Sequence, residues 1–311
     1  MISSDIIQPF LIDHSSIRGR LVRLDKVIND ILQLHNYHYA VCFHLAEQIM
    51  IATLLAATLE KDGILTVQSK GNGAIRFMVV DVMANGSVRG YADVNEEKLA
   101  KLVGKSRSRH FSLKELMGEG YLAITHDEAG LKERHQSVVA LEGNSISDAF
   151  RGYFLQSNQV EIALNIAIHK PDIAHNRWGA GGLIVERMPL EGGNESKIST
   201  AEQEEIWERT KLFMMTLKEK EVLDPAITPQ NLLYRLFNED GVWVYKLQHL
   251  VAACRCSRKR IRDVFKTLNQ QELLDSLDEK GKMKVNCQFC NTKQIFTKAD
   301  INRLFALKPK K

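Results

Sequence analysis

Four of the five cysteines in this 311-residue chain crowd into its last fifth: Cys254, Cys256, Cys287 and Cys290. The pattern is Cys-x-Cys, 30 intervening residues, then Cys-x-x-Cys. Soft thiolates in two tight pairs suit a four-coordinate zinc ion, and four sulfurs leave no open position for a metal-bound water. The spacing points to a metal that organises structure rather than one that hydrolyses a substrate. In an extended segment, residues two apart face the same side, so Cys254 and Cys256 can reach one ion. Arg255, Arg258, Lys259 and Arg260 flank the first pair. Positive charge favours the thiolate, the form that oxidants attack. The same pattern also fits a plain structural staple. Cys42 stands apart among apolar helical residues and reads as a buried, inert thiol.

Oxidation would change what the two pairs do. A metal closes the long segment between them, whereas a disulfide within either pair closes only a few residues and constrains little. Such a bond is sterically possible, because Cα separations up to ~6.8 Å are accepted. Structural zinc contributes roughly 10–16 kcal/mol in small fingers, so losing it removes much of a small domain's stability. The sequence permits an unfolding switch. Four cysteines allow three connectivities, and the spacing leaves that choice open.

The elements that must hold these thiols are legible around them. Residues 251–311 carry 15 lysines and arginines against six acidic residues, a net +9 in a chain of net +4. Residues 1–250 therefore carry −5. A basic, cysteine-bearing tail on a mildly acidic body marks a domain boundary. In the tail, Ser257 is placed to cap a helix bearing Ile261, Val264, Phe265 and Leu268. Asn269 and Glu272 are placed to cap a second, Gly281 to end it, 282–287 to alternate as a strand, and 287–290 to turn.

The body mixes both periodicities. Residues 27–59 read as helical with a turn near 35–38; Ala46, Ile49, Met50, Leu54 and Ala57 recur at helical spacing. Strands are expected at 64–68, 74–81, 87–92, 121–125, 136–142 and 160–169, and a helix at 147–156. Strands in runs with helices segregated predict an α+β class. The expected organisation is an N-terminal sheet-and-helix domain over 1–192, a helical linker region over 193–250 and a small zinc-binding domain over 251–311. Gly192-Gly193-Asn194 closes the first part. Ser199 with Glu202 opens a linker helix as a capping box, and Thr228-Pro229 opens another. Trp207, Leu212, Phe213, Met214, Met215 and Leu217 make this linker too apolar for a free tether, so it must pack on something.

Other chemistries find little support. Hydrophobic residues at 44% and charged residues at 26% are ordinary for a globular protein. No apolar run approaches the ~18 residues of a membrane helix, and residues 1–10 lack a basic region followed by an apolar run. Cytoplasm is the expected compartment, with no membrane partner. Gly104-Lys105-Ser106 is not a phosphate loop, because Leu99 stands where the first glycine is required. Gly179-Ala180-Gly181-Gly182 reads as a turn or close-packing site. His35 and His38 read as surface or packing residues. No Gly-x-Ser-x-Gly is present. The expectation is a binding protein rather than an enzyme.

Cys254-Arg255-Cys256-Ser257 and Cys287-Gln288-Phe289-Cys290-Asn291 resemble the zinc-binding redox switch of the heat-shock chaperone family called the 33 kDa chaperonins (heat shock protein 33). The body is similar at Arg18-Gly19, Gln68-Ser69-Lys70-Gly71-Asn72-Gly73, Arg89-Gly90-Tyr91, Thr125-His126-Asp127 and Gly181-Gly182-Leu183. The resemblance covers nearly the whole chain, and its specific part is the cysteine pattern. It implies an ATP-independent holdase that, reduced, binds one zinc through the four cysteines and is largely inactive. It implies oxidation to Cys254–Cys256 and Cys287–Cys290 disulfides, loss of zinc, unfolding of the tail and adjoining linker, dimerisation, and capture of unfolding clients. Two positions depart from the family: Lys259 where an acidic residue is common, and Gln294 where an aromatic is common.

A holdase needs apolar surface hidden until it is needed. Trp207, Leu212, Phe213, Met214 and Leu217 are the candidate client-binding residues, and methionine adapts well at promiscuous surfaces. The competing reading is a nucleic-acid-binding protein whose basic zinc module, with Ser257 to Arg262, contacts phosphate. Its tail has aromatics only at Phe265, Phe289, Phe296 and Phe305, several of them core-like, which disfavours nucleic acid as partner. A thiol oxidoreductase using Cys287 and Cys290 lacks a βαβ context.

Overall fold

The computed structural model describes residues 5–56, 59, 62–105, 110–127, 135–157, 160–172, 176–188 and 199–306. They fall into two compact units, Met1–Ala252 and Ala253–Lys311. The first contains β1 (Ile6–Ile12), β2 (Ile17–Leu24), α1 (Lys26–Leu32), α2 (Tyr39–Ala56), β3 (Ile64–Gly71), β4 (Ile75–Met83), β5 (Ser87–Val94) and α3 (Glu96–Lys105). It continues with α4 (Leu113–Met117), β6 (Gly120–Asp127), β7 (His135–Ala140), α5 (Ile146–Ser157), β8 (Glu161–His169) and β9 (Gly179–Arg187). Next come α6 (Thr200–Thr216), α7 (Glu219–Leu223), α8 (Pro229–Phe237), β10 (Val242–Val244), β11 (Gln248–His249) and β12 (Val251–Ala252). The second unit holds α9 (Arg258–Phe265), α10 (Gln270–Asp275), β13 (Lys282–Asn286), β14 (Lys293–Thr297) and α11 (Lys298–Ala306). The class is α+β.

Two sheets sandwich one helix. The first sheet runs β10-β1-β2-β9-β8, with β11 also on β1, and all its pairs are antiparallel. The second runs β12-β5-β4-β3-β6-β7, antiparallel except for the β12–β5 pair. α2 touches strands of both sheets and buries 16 of its 18 residues. A helix enclosed on all sides has no polar face to present, so its polar residues must find partners inside. Gln48 donates to Val67 O at 2.8 Å and accepts from Ser69 Oγ at 2.7 Å. Glu47 accepts from the Ile146 and Ser147 backbone N–H groups at 3.0 and 3.1 Å, capping α5. This helix does reach 18 residues at a mean hydropathy of 1.5, longer than the sequence reading allowed. Its window is 89% buried in the fold.

The strands expected between residues 64 and 169 are present, as are α5 and the break between α1 and α2. The structure adds three long strands to those expected in the first unit, β1, β2 and β9, besides the short β10, β11 and β12, and adds β14 in the second. Pro9 and the charged Arg18, Arg20 and Arg23 obscured the first two. Arg20 is buried, gripping Glu186 of β9 through both Nη atoms at 2.9 and 3.1 Å. Gly179-Ala180-Gly181-Gly182 is strand rather than turn, and the close-packing reading holds: a Cβ on Gly181 would meet Val222 and Leu223 at 3.1–3.2 Å.

The outer face of the first sheet is covered by α6 and α8. Phe10, Ile17, Leu183 and Val185 pack with Trp207, Met214, Leu233 and Phe237. Ser199 and Glu202 form the expected capping box on α6, and Thr228 caps α8 ahead of Pro229. The segment expected to be helical also supplies β10 and β11, both paired with β1. The boundary expected at 192/193 lies outside the described residues, as do Ala57, Ser106, Gly192, Gly193 and Asn194.

The second unit has a small core: Phe265, Leu273, Phe296, Ile301 and Leu304. Ser257 caps α9, accepting from Arg260 N at 3.2 Å, and Asn269 caps α10. α10 stops at Asp275, so Gly281 does not end it. Gly281, at φ +67°, instead closes the turn into β13, where its N–H donates to Asp278 O at 2.8 Å.

Candidate metal centre

Cys254 and Cys256 lie just before α9, and Cys287 and Cys290 lie in the β13–β14 hairpin loop. The Ser257 cap starts the helix immediately after Cys256, which fixes the exit of the first pair. The hairpin loop is fixed from inside. Cys287 N–H donates to Thr292 O at 3.0 Å, and Asn291 N–H donates to Cys287 O at 2.8 Å. Asn291 sits at φ +54°, a left-handed position asparagine tolerates.

These two supports bring all four Sγ atoms within 4.8 Å of one another. Cys254 Sγ is 3.7 Å from Cys287 Sγ, and Cys256 Sγ is 3.3 Å from Cys290 Sγ. Four sulfurs placed tetrahedrally at ~2.3 Å from one ion are about 3.8 Å apart. The cluster can hold a metal ion, and its all-thiolate donor set suits a soft or borderline one. All four cysteines are half-buried and none is in a disulfide. Both of these close contacts run between the pairs, so proximity alone does not select bonding within a pair.

The thiols are electrostatically unequal. Burial, then hydrogen bonding with Cys290 and Cys254, pushes Cys256 well above the usual thiol range. Burial also raises Cys287. At Cys290 burial opposes ionisation, but hydrogen bonds from the Thr292 hydroxyl and backbone outweigh it and lower the thiol to about 6. Thr292 Oγ1 is 3.2 Å from Cys290 Sγ. The basic neighbours contribute less than the sequence suggested. Arg258 is committed to Ile295 O at 2.7 Å, Asp300 at 3.0 Å and the Phe296 ring, and Lys259 and Arg260 point into solvent.

The other candidates separate. Trp207, Met214 and Leu217 are buried under the first sheet, and Phe213 is partly buried beside them. Leu212 is 61% exposed and the neighbouring Met215 80%. These residues form no single open surface. Cys42 is buried, and burial pushes its thiol up to about 11. His35 stacks on Tyr37 and His38 packs against Tyr39. One buried cluster had no sequence signal: His44, Glu47 and Ser147, which lie 99 or more residues apart except for the first two.

Comparison with known proteins agrees with this arrangement. The family model described as Hsp33 protein matches residues 5–297. A 33 kDa chaperonin of Caulobacter vibrioides is 32% identical over 288 residues, spanning 92% of this chain and 93% of its own. A 33 kDa chaperonin of Chromobacterium violaceum is 34% identical over 303 residues, spanning 97% and 94%. The fold resembles the crystal structure of a 33 kDa chaperonin from Thermotoga maritima, with a TM-score of 0.76 and 24% identity over 98% of both chains. By sequence, along nearly its whole length, the chain belongs to the Hsp33 protein family.

Proposed function

We propose that this protein is a redox-regulated, ATP-independent holdase, in which Cys254, Cys256, Cys287 and Cys290 hold one zinc ion in the reduced form. The convergence of four thiols from two separate loops onto one point carries the reading. Zinc supplies a cross-link between the segment before α9 and the hairpin loop. The unit it closes has about 60 residues and, among the described ones, five buried apolar side chains, a size at which a core alone is marginal.

Oxidation by peroxide removes the ligands. Each pair of ligating thiolates gives up two electrons as one S–S bond forms; the peroxide O–O bond breaks, two protons come from solvent, and two waters leave. The pairing adopted here is Cys254–Cys256 and Cys287–Cys290. Bonds between near neighbours leave the two loops unconnected and close short loops that constrain little. The unit, without its cross-link, then unfolds along with the adjoining linker. Apolar residues now covered, among them Trp207, Phe213, Met214 and Leu217, become available to unfolding proteins beside the exposed Leu212, and the active form is a dimer. The expected site of action is the cytoplasm.

Nucleic-acid binding is the second reading. α9 presents exposed Lys259, Arg260 and Arg262. Phe265 and Phe296 are core residues, so they offer no stacking platform for bases. Cys287 and Cys290 lie in a β-hairpin loop, which does not favour a thioredoxin-like catalyst.

Light scattering from a heat-unfolding client tests the reading. Peroxide-treated protein should suppress aggregation near equimolar ratio and reduced protein should not. Equal behaviour of the two forms contradicts it. Tight, steeply salt-dependent binding of an oligonucleotide by the reduced form would favour the second reading.

A further inference from the structure

β1 is covered unequally on its two sides. β2 pairs with it continuously from Ile6 to Leu11. On the other side lie two short pieces, β10 opposite Phe10, Leu11 and Ile12, and β11 opposite Ile6 and Ile7. Trp243 and Val244 of β10 are 62% and 41% exposed, so little side-chain burial holds this strand down. Without β10 and β11, β1 is the edge of the first sheet. Pro9 suits such a position, because proline lacks the ladder donor and is confined in sheets to edges and bulges.

The ladder shows what this edge accepts. Tyr245 N–H donates to Pro9 O, and Asp13 N–H donates to Gly241 O, both at 3.0 Å. Such residues alternate along an antiparallel pair. Gly241, Trp243 and Tyr245 therefore turn their backbone groups toward β1, and Val242 and Val244 turn theirs away. Pro9 has no N–H to return to Tyr245 O. Gln8, fully buried, supplies the donor from its side chain, with Nε2 at 2.7 Å from Tyr245 O. Both backbone groups of one added residue are thus held without any reading of its side chain.

Side-chain preference comes from the sheet beneath. Val242 and Val244 stand opposite Ile12 and Phe10. Those two belong to an apolar layer with Ile17, Leu21 and Val185. The edge therefore suits an extended segment with apolar residues at alternate positions. β10 is such a segment, supplied by the chain itself. It lies within 193–250, the region that unfolds after oxidation on the holdase reading.

We propose that the edge of β1 is a strand-accepting site, closed by β10 in the reduced protein and taken after oxidation by an extended apolar segment of an unfolding protein. Backbone hydrogen bonds supply affinity across many sequences, as in other cases of strand addition. The release of β10 by oxidation and the client's identity rest on the holdase reading; the capacity of the edge does not.

The probe is an acetylated, amidated, fluorescein-labelled peptide with the sequence of residues 240–246, followed by fluorescence anisotropy with the full-length protein. Oxidised wild type should bind it saturably and reduced wild type should not. Methylating the peptide nitrogens that match Trp243 and Tyr245 removes the donors facing β1 and should weaken binding at least about tenfold, or ~1.4 kcal/mol. Methylating those that match Val242 and Val244 should change it by less than about threefold. Trp243→Pro opens the edge without oxidation, because proline brings no N–H to the ladder. The reduced variant should bind the probe and keep wild-type amide protection in β2 to β9.

Equal losses from the two methylation patterns would overturn the proposal, as would failure of both oxidised wild type and reduced Trp243→Pro to bind. Clients held by oxidised wild type without probe binding would overturn it and leave the holdase reading intact. Pattern-selective binding by reduced Trp243→Pro, with no holding by oxidised wild type, would confirm the edge and sink the holdase reading.

Discussion

Cys256 Sγ lies 3.3 Å from Cys290 Sγ although 34 residues separate them in the chain. A contact of that kind has to be held by something on each side. Here the supports are the Ser257 cap and the hairpin loop around Asn291. Neither is large, and the core beneath them has five buried apolar residues. A metal bound at the four thiols would therefore supply a substantial share of this unit's stability. Replacing one ligand, Cys254→Ser, should forfeit several of the roughly 10–16 kcal/mol typical of structural zinc. The expected result is lower zinc content and faster amide exchange in residues 253–306. Protection in the first unit should be unchanged. Wild-type zinc content with wild-type exchange would contradict the role given to Cys254.

Trp207 and Leu212 lie five residues apart on α6 with opposite surroundings: 2% and 61% exposed. Trp207→Ala should destabilise the first unit by about 3–5 kcal/mol, the usual cost of emptying an aromatic site. Leu212→Ala should change stability by less than ~0.5 kcal/mol. If Leu212 contacts clients, its variant should hold them less well after oxidation without that stability loss. Urea unfolding and client light scattering, run on both variants, separate the two effects.

Glu47 is a buried carboxylate that caps α5 from inside α2. Burial, its largest influence, opposes ionisation, but the His44 ring, with Nδ1 3.7 Å away, and hydrogen bonds from Ser147 outweigh it and hold the group below the usual carboxylate range. A folded-state value below the unfolded one, about 4.3, stabilises the fold above that pH and loses the contribution as pH falls through the folded value. Glu47→Gln should cost about 1–3 kcal/mol at pH 7. That deficit should shrink progressively in denaturation curves taken below about pH 4.3. A deficit independent of pH would contradict the assignment.

Arg20 and Glu186 tie β2 to β9 through a bidentate pair, both side chains being about 95% buried. Arg20→Leu should cost about 3–5 kcal/mol by stranding a buried charge. Arg20→Leu with Glu186→Leu should recover much of that loss, because the pair itself is only weakly stabilising against apolar replacements. A double variant as unstable as the single one would show that the Arg18 and Leu54 contacts to this pair carry the energy instead.

The metal centre was legible in the sequence because its information is local. Two short cysteine motifs, a serine cap and an alternating strand each need only a few neighbouring residues. The same holds for the capping boxes and for the strands between residues 64 and 169. What the sequence concealed depends on partners far along the chain. Arg20 and Arg23 look like surface charges until β9 supplies Glu186 and the segment after α7 supplies carbonyl acceptors. The glycines of β9 look like a turn until α7 is seen pressed against Gly181. α2 has no apolar stripe because it is covered on every side, so the helical spacing of Ala46, Ile49, Met50 and Leu54 marks only part of what it buries. The pairing of β10 and β11 with β1 bridges more than 200 residues, which no local pattern encodes.

The most direct test follows zinc and thiols together in one sample of the full chain, before and after peroxide with mild warming, with amide exchange read in both units. The account predicts about one zinc released per chain and four thiols lost. Protection should collapse in residues 253–306 while β1 to β9 stay protected. Loss of four thiols with zinc retained, or with the second unit still protected, would contradict it.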